Sequence, residues 1–445
     1  MRDDASAPVT FREALRVWTR IGLLSFGGPA GQIATMHRIL VEEKRWIGEA
    51  RFLHALNFCM LLPGPEATQL ATYVGWLLHG TRGGVAAGVL FVLPGFLVIL
   101  ALSTLYALGS DLALVQTLFY GLKAAVFAVV VEALLRIGKR ALKGRVHVAL
   151  AALAFVAIFA LGLPFPLIVL LAGLTGLGGV RVWPEVFAPS SGNGAEADDR
   201  LAVGTMAPGD SRGLGRSLRV VAVWCALWAA PVLALTAAFG GDSIYPHIGI
   251  VFSQAAMVTF GGAYAVLAYI AQAAVETLGW LRPGEMVDGL ALAETTPGPL
   301  ILVLTFVGYL AAFRDPGGVA PLLGGFLGAG LTTWVTFVPC FLWIFLGAPY
   351  IEALRHSRAL AGALTAITAA VVGVILNLTV WFGLHVVFRE VGELAGIPWP
   401  VWGTVDWWAL ALSAGAMLAV LRFHVGIVWT LAGCAAAAVL VRMVL

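Results

Sequence analysis

The sequence predicts an all-α polytopic membrane protein with about 13 transmembrane helices, arranged as two inverted-topology repeats with broken helices. Three observations predict it: an apolar composition, a series of segments long enough to cross a bilayer, and an internal repeat. Sixty per cent of the 445 residues are hydrophobic, 11% are charged, and the mean hydropathy is +0.94. Soluble chains carry about a quarter charged residues. Most of this surface is therefore expected to face the lipid bilayer.

The composition and motifs also exclude several classes of function. The net charge of +3 is too small for a nucleic-acid partner. We find no nucleophile elbow, P-loop, HExxH or dinucleotide fingerprint, so we expect no enzyme and no cofactor. The cysteines lie in apolar segments without a CxxC pair, which excludes a disulfide framework and a metal site. They are Cys59, Cys225, Cys340 and Cys434.

The segments come in two kinds, since a spanning helix needs roughly 20 mostly apolar residues. Continuous candidates lie at about 84–106, 112–136, 146–163, 164–182, 217–239, 319–347, 358–387, 405–421 and 424–443. Segments interrupted by Gly or Pro lie at 11–40, 50–79, 245–275 and 284–312. A Gly-, Ser-, Pro- and Asp-rich stretch reads as a flexible linker. We divide the chain into an N-terminal repeat (1–182), a cytoplasmic linker (183–216), a linking helix (217–240) and a C-terminal repeat (241–445).

The interrupted segments reveal the duplication. At an offset of 234 positions, 11 of the 40 residues from 26 to 65 are identical to their counterparts. Chance predicts roughly a tenth in so apolar a sequence. The identities include the Gly27-Gly28 break, repeated at Gly261-Gly262, and the break at 63–65, repeated at 297–299. The repeat is therefore an inherited duplication.

Loop charge predicts that the two copies are inverted, because cytoplasmic loops carry the Lys and Arg excess. The loop after the fourth segment is basic (Arg136, Lys139, Arg140, Lys143, Arg145), whereas its counterpart is mixed (Arg389, Glu390, Glu393, Asp406). We therefore expect a cytoplasmic N-terminus and an outer C-terminus. A parallel duplication with re-entrant hairpins is the alternative.

The breaks predict a binding site, since unpaired backbone groups inside a membrane are tolerated only against protein or a water-filled cavity. Half-helix N-termini in inverted-repeat carriers direct N–H groups at an anion near the midplane. Hydroxyl and N–H donors suit an oxyanion, which only accepts hydrogen bonds. Close helix packing by small residues is the alternative. The candidate ligands are Gly27, Gly28, Gly31, Gly64, Thr68, Gln69, Thr72, Gly261, Gly262, Thr295, Thr296 and Gly298.

Three charged residues within the segments add to this site. Glu66 follows the first Pro-Gly-Pro and Glu294 precedes the second. Ionisable residues at membrane depth indicate function, so either could couple protons to anion movement. A helix-capping role for Glu66 is the alternative. Lys123 either adds a cation to the anion path or pairs with Glu132 through neighbours.

At these residues the sequence resembles the chromate ion transporter family in its long, two-domain form. The similar stretches are Phe26-Gly-Gly-Pro-Ala-Gly31, Val41-Glu-Glu-Lys-Arg-Trp46, Leu61-Leu-Pro-Gly-Pro-Glu-Ala67, Gln69-Leu-Ala-Thr-Tyr-Val-Gly-Trp76, Phe260-Gly-Gly-Ala-Tyr264 and Glu294-Thr-Thr-Pro-Gly-Pro299. The resemblance covers nearly the whole chain apart from the linker. It implies a bacterial inner-membrane carrier that exports chromate, driven by the membrane potential or a proton gradient, and confers chromate resistance.

The expected function is therefore secondary transport of a tetrahedral oxyanion, with chromate as substrate and sulfate as a plausible competitor. A carrier of another anion and an anion channel of the same architecture are the alternatives from the transport class. The alternative from another class is a membrane enzyme or a sensor. The absence of a catalytic motif argues against an enzyme, and the short linker leaves no room for a sensory domain. The expected partners are the anion and the lipid bilayer, and a homodimer is one expected assembly.

Overall fold

The computed structural model describes residues 9–26, 28–110, 112–187, 213–260, 262–350, 357–394 and 397–444. Gly27, Gly261 and most of the predicted linker (188–212) lie outside these ranges. The helices of the first repeat are α1 (Phe11–Leu24), α2 (Gly28–His37), α3 (Glu49–Cys59), α4 (Glu66–Gly109), α5 (Ala113–Ala141), α6 (Arg145–Phe159), α7 (Phe165–Val182) and the short α8 (Pro184–Phe187).

The remaining helices follow α9 (Leu214–Phe239), which links the two repeats. They are α10 (Ile244–Val258), α11 (Ala263–Ala271), α12 (Pro283–Thr295), α13 (Val303–Arg314), α14 (Pro321–Gly347), α15 (Arg358–Val387), α16 (Trp407–Leu421) and α17 (Ile427–Val444). Strands β1 (Val391–Leu394) and β2 (Ile397–Pro400) form an antiparallel hairpin between α15 and α16. Within the described ranges, six helices are long and apolar enough to cross a membrane: α4, α5, α7, α9, α14 and α15.

The duplication is visible in the backbone at the same offset of 234. A π-helical turn at Arg38–Glu43 has its counterpart at Gln272–Thr277. Positive φ angles occur in matched pairs at Gly28 and Gly262, at Gly64 and Gly298, and at Arg45 and Gly279. Because these features fall at unusual conformations rather than at common ones, they show that both copies share one local fold.

Each interrupted segment doubles back on itself as a helical hairpin. The contacts that close the hairpins are Lys44 Nζ to Glu13 Oε1 at 2.8 Å, the Phe58 and Tyr73 rings at 5.8 Å, Tyr269 Oη to Gln254 Oε1 at 3.1 Å, and Arg314 Nη2 to Glu285 Oε1 at 2.6 Å. The all-α polytopic fold with broken helices is confirmed. The two arms of each interrupted segment lie side by side, so each segment begins and ends at the same end of the molecule.

Helix length explains why the segments turn back. The arms α1, α3 and α12 contain 14, 11 and 13 residues, which correspond to about 16–21 Å at 1.5 Å per residue. The hydrocarbon core is about 30 Å thick. An arm of this length reaches the middle of the membrane and no further, and the Gly and Pro residues then supply the turn.

The two pairs of hairpins open at opposite ends of the molecule. His79 Nε2 lies 2.8 Å from Val9 O, so the kink at His79 and Gly80 in α4 lies beside the start of α1, at what we call the near end. From there the second part of α4 runs to Tyr106, which bonds Asp288 in the second turn of α12 at 2.8 Å. That end is the far end. The opposite openings show the inverted arrangement of the two repeats.

Helix α9 is held to the second repeat by a bond at its proline. Pro231 has no N–H for the carbonyl of Leu227, four residues earlier. The indole N–H of Trp334 on α14 donates to this oxygen instead, at 2.7 Å. No residue of α9 is fully buried, so most of its circumference is expected to face lipid.

The far-end loop before α16 carries one strongly bonded carboxylate. Asp406 caps α16 by accepting bonds from the N–H groups of Trp408 and Ala409, and it also accepts the Tyr120 hydroxyl at 2.7 Å. Burial alone would raise the pKa of Asp406. The bonds from Ala409 and Tyr120, together with the nearby Arg389 guanidinium, outweigh burial and hold this pKa below its usual range.

Candidate functional site

The tips of the hairpins meet at mid-depth through two symmetric hydrogen bonds. The N–H of Gly64 donates to Thr259 O at 2.8 Å, and the N–H of Gly298 donates to Ser25 O at 2.7 Å. Each bond joins one repeat to the other, and the two bonds are related by the offset of 234. Both glycines have positive φ, +117° and +91°, which L side chains rarely adopt. The sequence predicts that their N–H groups face an anion, whereas the structure uses them to join the hairpins.

The depth of the tips follows from α4. A Cβ on Gly95 would lie 2.2 Å from Pro297 O, so this helix passes directly against the second break. Gly95 is midway between residue 81, next to the near-end kink, and Gly109 at the end of the helix. Roughly 21 Å of helix therefore extends on either side of the contact. The breaks consequently lie near the middle of the bundle.

Two glutamine side chains stabilise the Pro-Gly-Pro turns by bonding carbonyls that the turns leave outside helices. Gln69 Nε2 donates to Pro63 O at 2.7 Å, and Gln32 Nε2 donates to Gly298 O at 2.7 Å. Both glutamines are fully buried. Gln69 is a predicted site residue, but its amide nitrogen supports the turn. Its Oε1 atom has no hydrogen-bond partner in the described part of the chain.

Thr68 carries a buried hydroxyl that the described residues leave without a partner. Threonines within helices usually bond the carbonyl four residues earlier, as Thr72 does to Thr68 O at 2.8 Å. Thr68 lies in the first turn of α4, where the residue four positions earlier is Gly64, outside the helix. The hydroxyl is therefore free to bond a ligand at the first break.

The two candidate carboxylates come from different repeats, and both lie beside the segment that contains Gly262 and α11. Glu66 Oε1 lies 3.9 Å from the position that a Cβ on Gly262 would occupy. Glu294 Oε1 accepts the hydroxyl of Tyr264, two residues later, at 2.7 Å. Glu294 is buried, and its Oε2 atom lacks a hydrogen-bond partner among the described residues. A helix N-terminus favours negative charge, so the position beside Gly262 suits one carboxylate or a bound anion.

Other predicted residues lie in different surroundings. Thr296 is buried and Thr295 is exposed, and each bonds a carbonyl of its own helix α12. Gly28 starts α2 with a φ of +68°, and a Cβ on Gly31 would lie 2.4 Å from Phe26 O, so Gly31 permits close packing there. Gly27 and Gly261 lie outside the described ranges.

Lys123 lies away from the breaks, at the far end, where its Nζ is 3.4 Å from Asp288 Oδ1. Asp288 is six residues before Glu294, or about 9 Å along α12. Glu132, the other partner considered for Lys123, instead lies 3.6 Å from Arg136 on its own helix. The contact with Asp288 could not be predicted from spacing, because it joins α5 to a helix of the other repeat.

Sequence reasoning missed Ser25, Thr259, Gln32, Gly95 and Tyr264. Ser25 and Thr259 precede the two Phe-Gly-Gly breaks at the same offset and both carry hydroxyls, so a search for similar pairs would have found them. The counterpart of Gln32 at this offset is Val266, and the counterpart of Tyr264 is Ala30. These pairs are dissimilar, so the repeat did not indicate Gln32 or Tyr264. In the described ranges, no three His, Cys, Asp or Glu side chains cluster as metal ligands.

The chain matches one known family in both of its halves. The family model described as Chromate transporter matches residues 12–177 and 247–439. The chain is 33% identical to the chromate transport protein of Pseudomonas aeruginosa, over 83% of this chain and 80% of that protein. It is 30% identical to the chromate transport protein of Cupriavidus metallidurans, over 82% and 81% of the two chains. A probable chromate transport protein of Synechococcus elongatus is 28% identical, over 84% and 85%. No solved structure matches the chain.

Proposed function

The chain belongs to the chromate transporter family, and on that premise we propose that it is a secondary carrier that exports chromate across the bacterial inner membrane. The proposal places the N-terminus and the near end in the cytoplasm and the C-terminus in the periplasm. It also takes residues 1–182 and 241–445 as the transport repeats, with the linker on the cytoplasmic side. Chromate resistance of the host is the expected consequence.

The observation that carries the proposal is the meeting of the hairpin tips at mid-depth. Four hairpins reach the centre, two from each end, and two bonds between the repeats join their tips there. Around the junction lie a helix N-terminus, two carboxylates and the Thr68 hydroxyl, which has no hydrogen-bond partner among the described residues. Such a site can be reached from either end by moving one pair of hairpins, which is the requirement for a carrier.

The membrane potential alone is large enough to drive export of a dianion. Moving one charge through 100 mV corresponds to about 2.3 kcal/mol. Two negative charges leaving a cell that is negative inside therefore gain about 4.6 kcal/mol per 100 mV. Since 1.4 kcal/mol is a factor of ten, this supports an outward gradient of roughly 2,000-fold. Each proton that accompanies the anion cancels one charge and removes half of that energy.

The two carboxylates decide how many protons accompany the anion. An ionised carboxylate repels a bound dianion at short range, so occupancy of the site favours protonation of Glu66 or Glu294. We propose that one of them exchanges a proton during the cycle. Tyr264, which donates to Glu294, holds that carboxyl in place at the start of α11.

The test is chromate flux in proteoliposomes that contain the purified protein, with a potassium and valinomycin gradient to set the potential. We expect flux to follow the sign of the potential and to saturate with chromate. The variants E66Q and E294Q should change the number of charges moved per chromate, and E185Q, on the exposed α8 residue, should not. Flux that is absent, or that ignores the potential, would overturn the proposal.

The same donors would also recognise sulfate, because hydroxyls and helix N-termini bond the oxygens and not the central atom. Competition by sulfate, molybdate and phosphate in the same vesicles separates these substrates. Flux that does not saturate would favour an anion channel of the same architecture. Pairing of two copies remains a prediction, and light scattering of the solubilised protein tests it.

A further inference from the structure

A cluster of polar side chains at the far end joins the second repeat to the first. We call the set Tyr106, Lys123 and Asp288 the far-end cluster. The Tyr106 hydroxyl donates to Asp288 Oδ2 at 2.8 Å, and Lys123 Nζ lies 3.4 Å from Asp288 Oδ1. Tyr106 on α4 and Lys123 on α5 belong to the first repeat, whereas Asp288 on α12 belongs to the second. Asp288 is 4% exposed, so its charge depends on these two partners.

The two helices of the α12–α13 hairpin, which carries Asp288, are joined at their open end. Glu285, nearly one turn before Asp288, receives two bonds from Arg314 at 2.6 and 3.0 Å. Arg314 also donates to Trp280 O at 2.8 Å. These bonds close the hairpin on itself. A displacement of α12 at this end therefore moves the hairpin as a unit and has to break the far-end cluster.

The two carboxylates of this hairpin are not repeated at the corresponding positions of the first repeat. At the offset of 234, Glu285 and Asp288 correspond to Arg51 and His54. The acidic residues that hold α12 are therefore a feature of the second repeat.

We propose that the far-end cluster is the gate that closes the central site from the far side of the membrane. With Asp288 bonded, the α12–α13 hairpin is held against α4 and α5, and the path from the breaks to the far end is shut. When these bonds break, the hairpin moves away and the site opens to the far side. The inference rests on the proposed carrier function, because only a carrier needs its site closed at each end in turn.

Cys340 provides a natural reporter of this gate. Its Sγ lies 3.1 Å from the position of a Cβ on Gly64, at the first break, and the residue is fully buried. In a variant with Cys59, Cys225 and Cys434 replaced by alanine, a membrane-impermeant maleimide sulfonate is added from one side of right-side-out or everted vesicles. The rate of Cys340 labelling then measures access to the site from that side.

We expect D288N and Y106F to raise far-side labelling of Cys340 by about tenfold, the size of the effect of one hydrogen bond to a charged group. Near-side labelling should stay within about twofold of the parent. D315N is the matched control, because Asp315 is an exposed carboxylate at the same end. Y106F removes a single bond, so the test does not depend on the more severe D288N variant.

Two results would overturn the gate. Far-side labelling that does not rise in either variant shows that the cluster does not control access. Labelling that rises equally from both sides shows general loosening of the fold instead of a gate. Because the labelling requires no chromate, a failure of chromate flux with a positive labelling result contradicts the proposed substrate and leaves the gate intact.

Discussion

Replacement of Thr68 by valine is expected to change stability and transport in opposite directions. Valine has nearly the same shape, so the substitution replaces the hydroxyl by a methyl group and changes little else. That hydroxyl is buried and has no partner among the described residues. A buried polar group without a hydrogen bond costs about 1–3 kcal/mol, so T68V should raise the free energy of unfolding by about 1 kcal/mol or more.

The same change should weaken chromate binding, because a hydrogen bond to a charged group contributes about 1.5–3 kcal/mol. This corresponds to a rise in KM of roughly 10- to 150-fold. Thermal unfolding in detergent measures the first effect, and flux into proteoliposomes at varied chromate concentration measures the second. The control is T175V, which removes a hydroxyl bonded to Leu171 O within its own helix on the exposed side of α7.

Either of two results would contradict this role of the Thr68 hydroxyl. An unchanged KM in T68V would show that the hydroxyl does not face the anion. A lower unfolding temperature would show that the hydroxyl has a partner in the folded protein. A role in packing alone predicts that stability and transport change little, whereas a role in the proposed site predicts the opposed changes.

Two further predictions concern the junction and the far-end loop. G95A should lower the free energy of unfolding in detergent by about 1–3 kcal/mol, because its Cβ would lie 2.2 Å from Pro297 O. The control is G330A, whose Cβ would meet open space and which should change this free energy little. The pKa of Asp406 is lowered in the folded protein, so its contribution to stability is present above pH 4 and is lost as the pH falls through the folded pKa. D406A should lower the free energy of unfolding by about 1–2 kcal/mol at pH 7. It should also make stability fall less steeply with decreasing pH. D242A, which removes an exposed carboxylate, is the control and should produce neither change. A D406A stability curve parallel to that of the parent between pH 2 and pH 5 would contradict this assignment.

The sequence was sufficient to predict the class of fold and the duplication. Hydropathy identifies membrane segments because lipid permits few alternatives to a helix, and the repeated breaks identify two copies because their spacing is constant. Loop charge also predicted the inversion, which the opposite openings of the hairpins show independently. The resemblance in the Phe-Gly-Gly and Pro-Gly-Pro stretches led to the family that the comparisons show.

The path of the interrupted segments could not be predicted in the same way. A stretch of about 30 apolar residues with a central break fits one broken crossing and one re-entrant hairpin equally well. The choice depends on whether the two arms attract each other, as Glu285 and Arg314 do across α12 and α13. Such a pair becomes apparent only when the chain has turned.

The sequence by itself determined that the chain is a duplicated membrane protein with breaks at matched positions, because composition and spacing are properties of the chain. Only the tertiary structure decided what the breaks do. It joined Gly64 to Thr259 and Gly298 to Ser25, and so engaged N–H groups that local reasoning left free for an anion. It also paired Lys123 with Asp288 at the far end. Each of these contacts joins a residue of one repeat to a residue of the other, so it depends on how the two copies pack together.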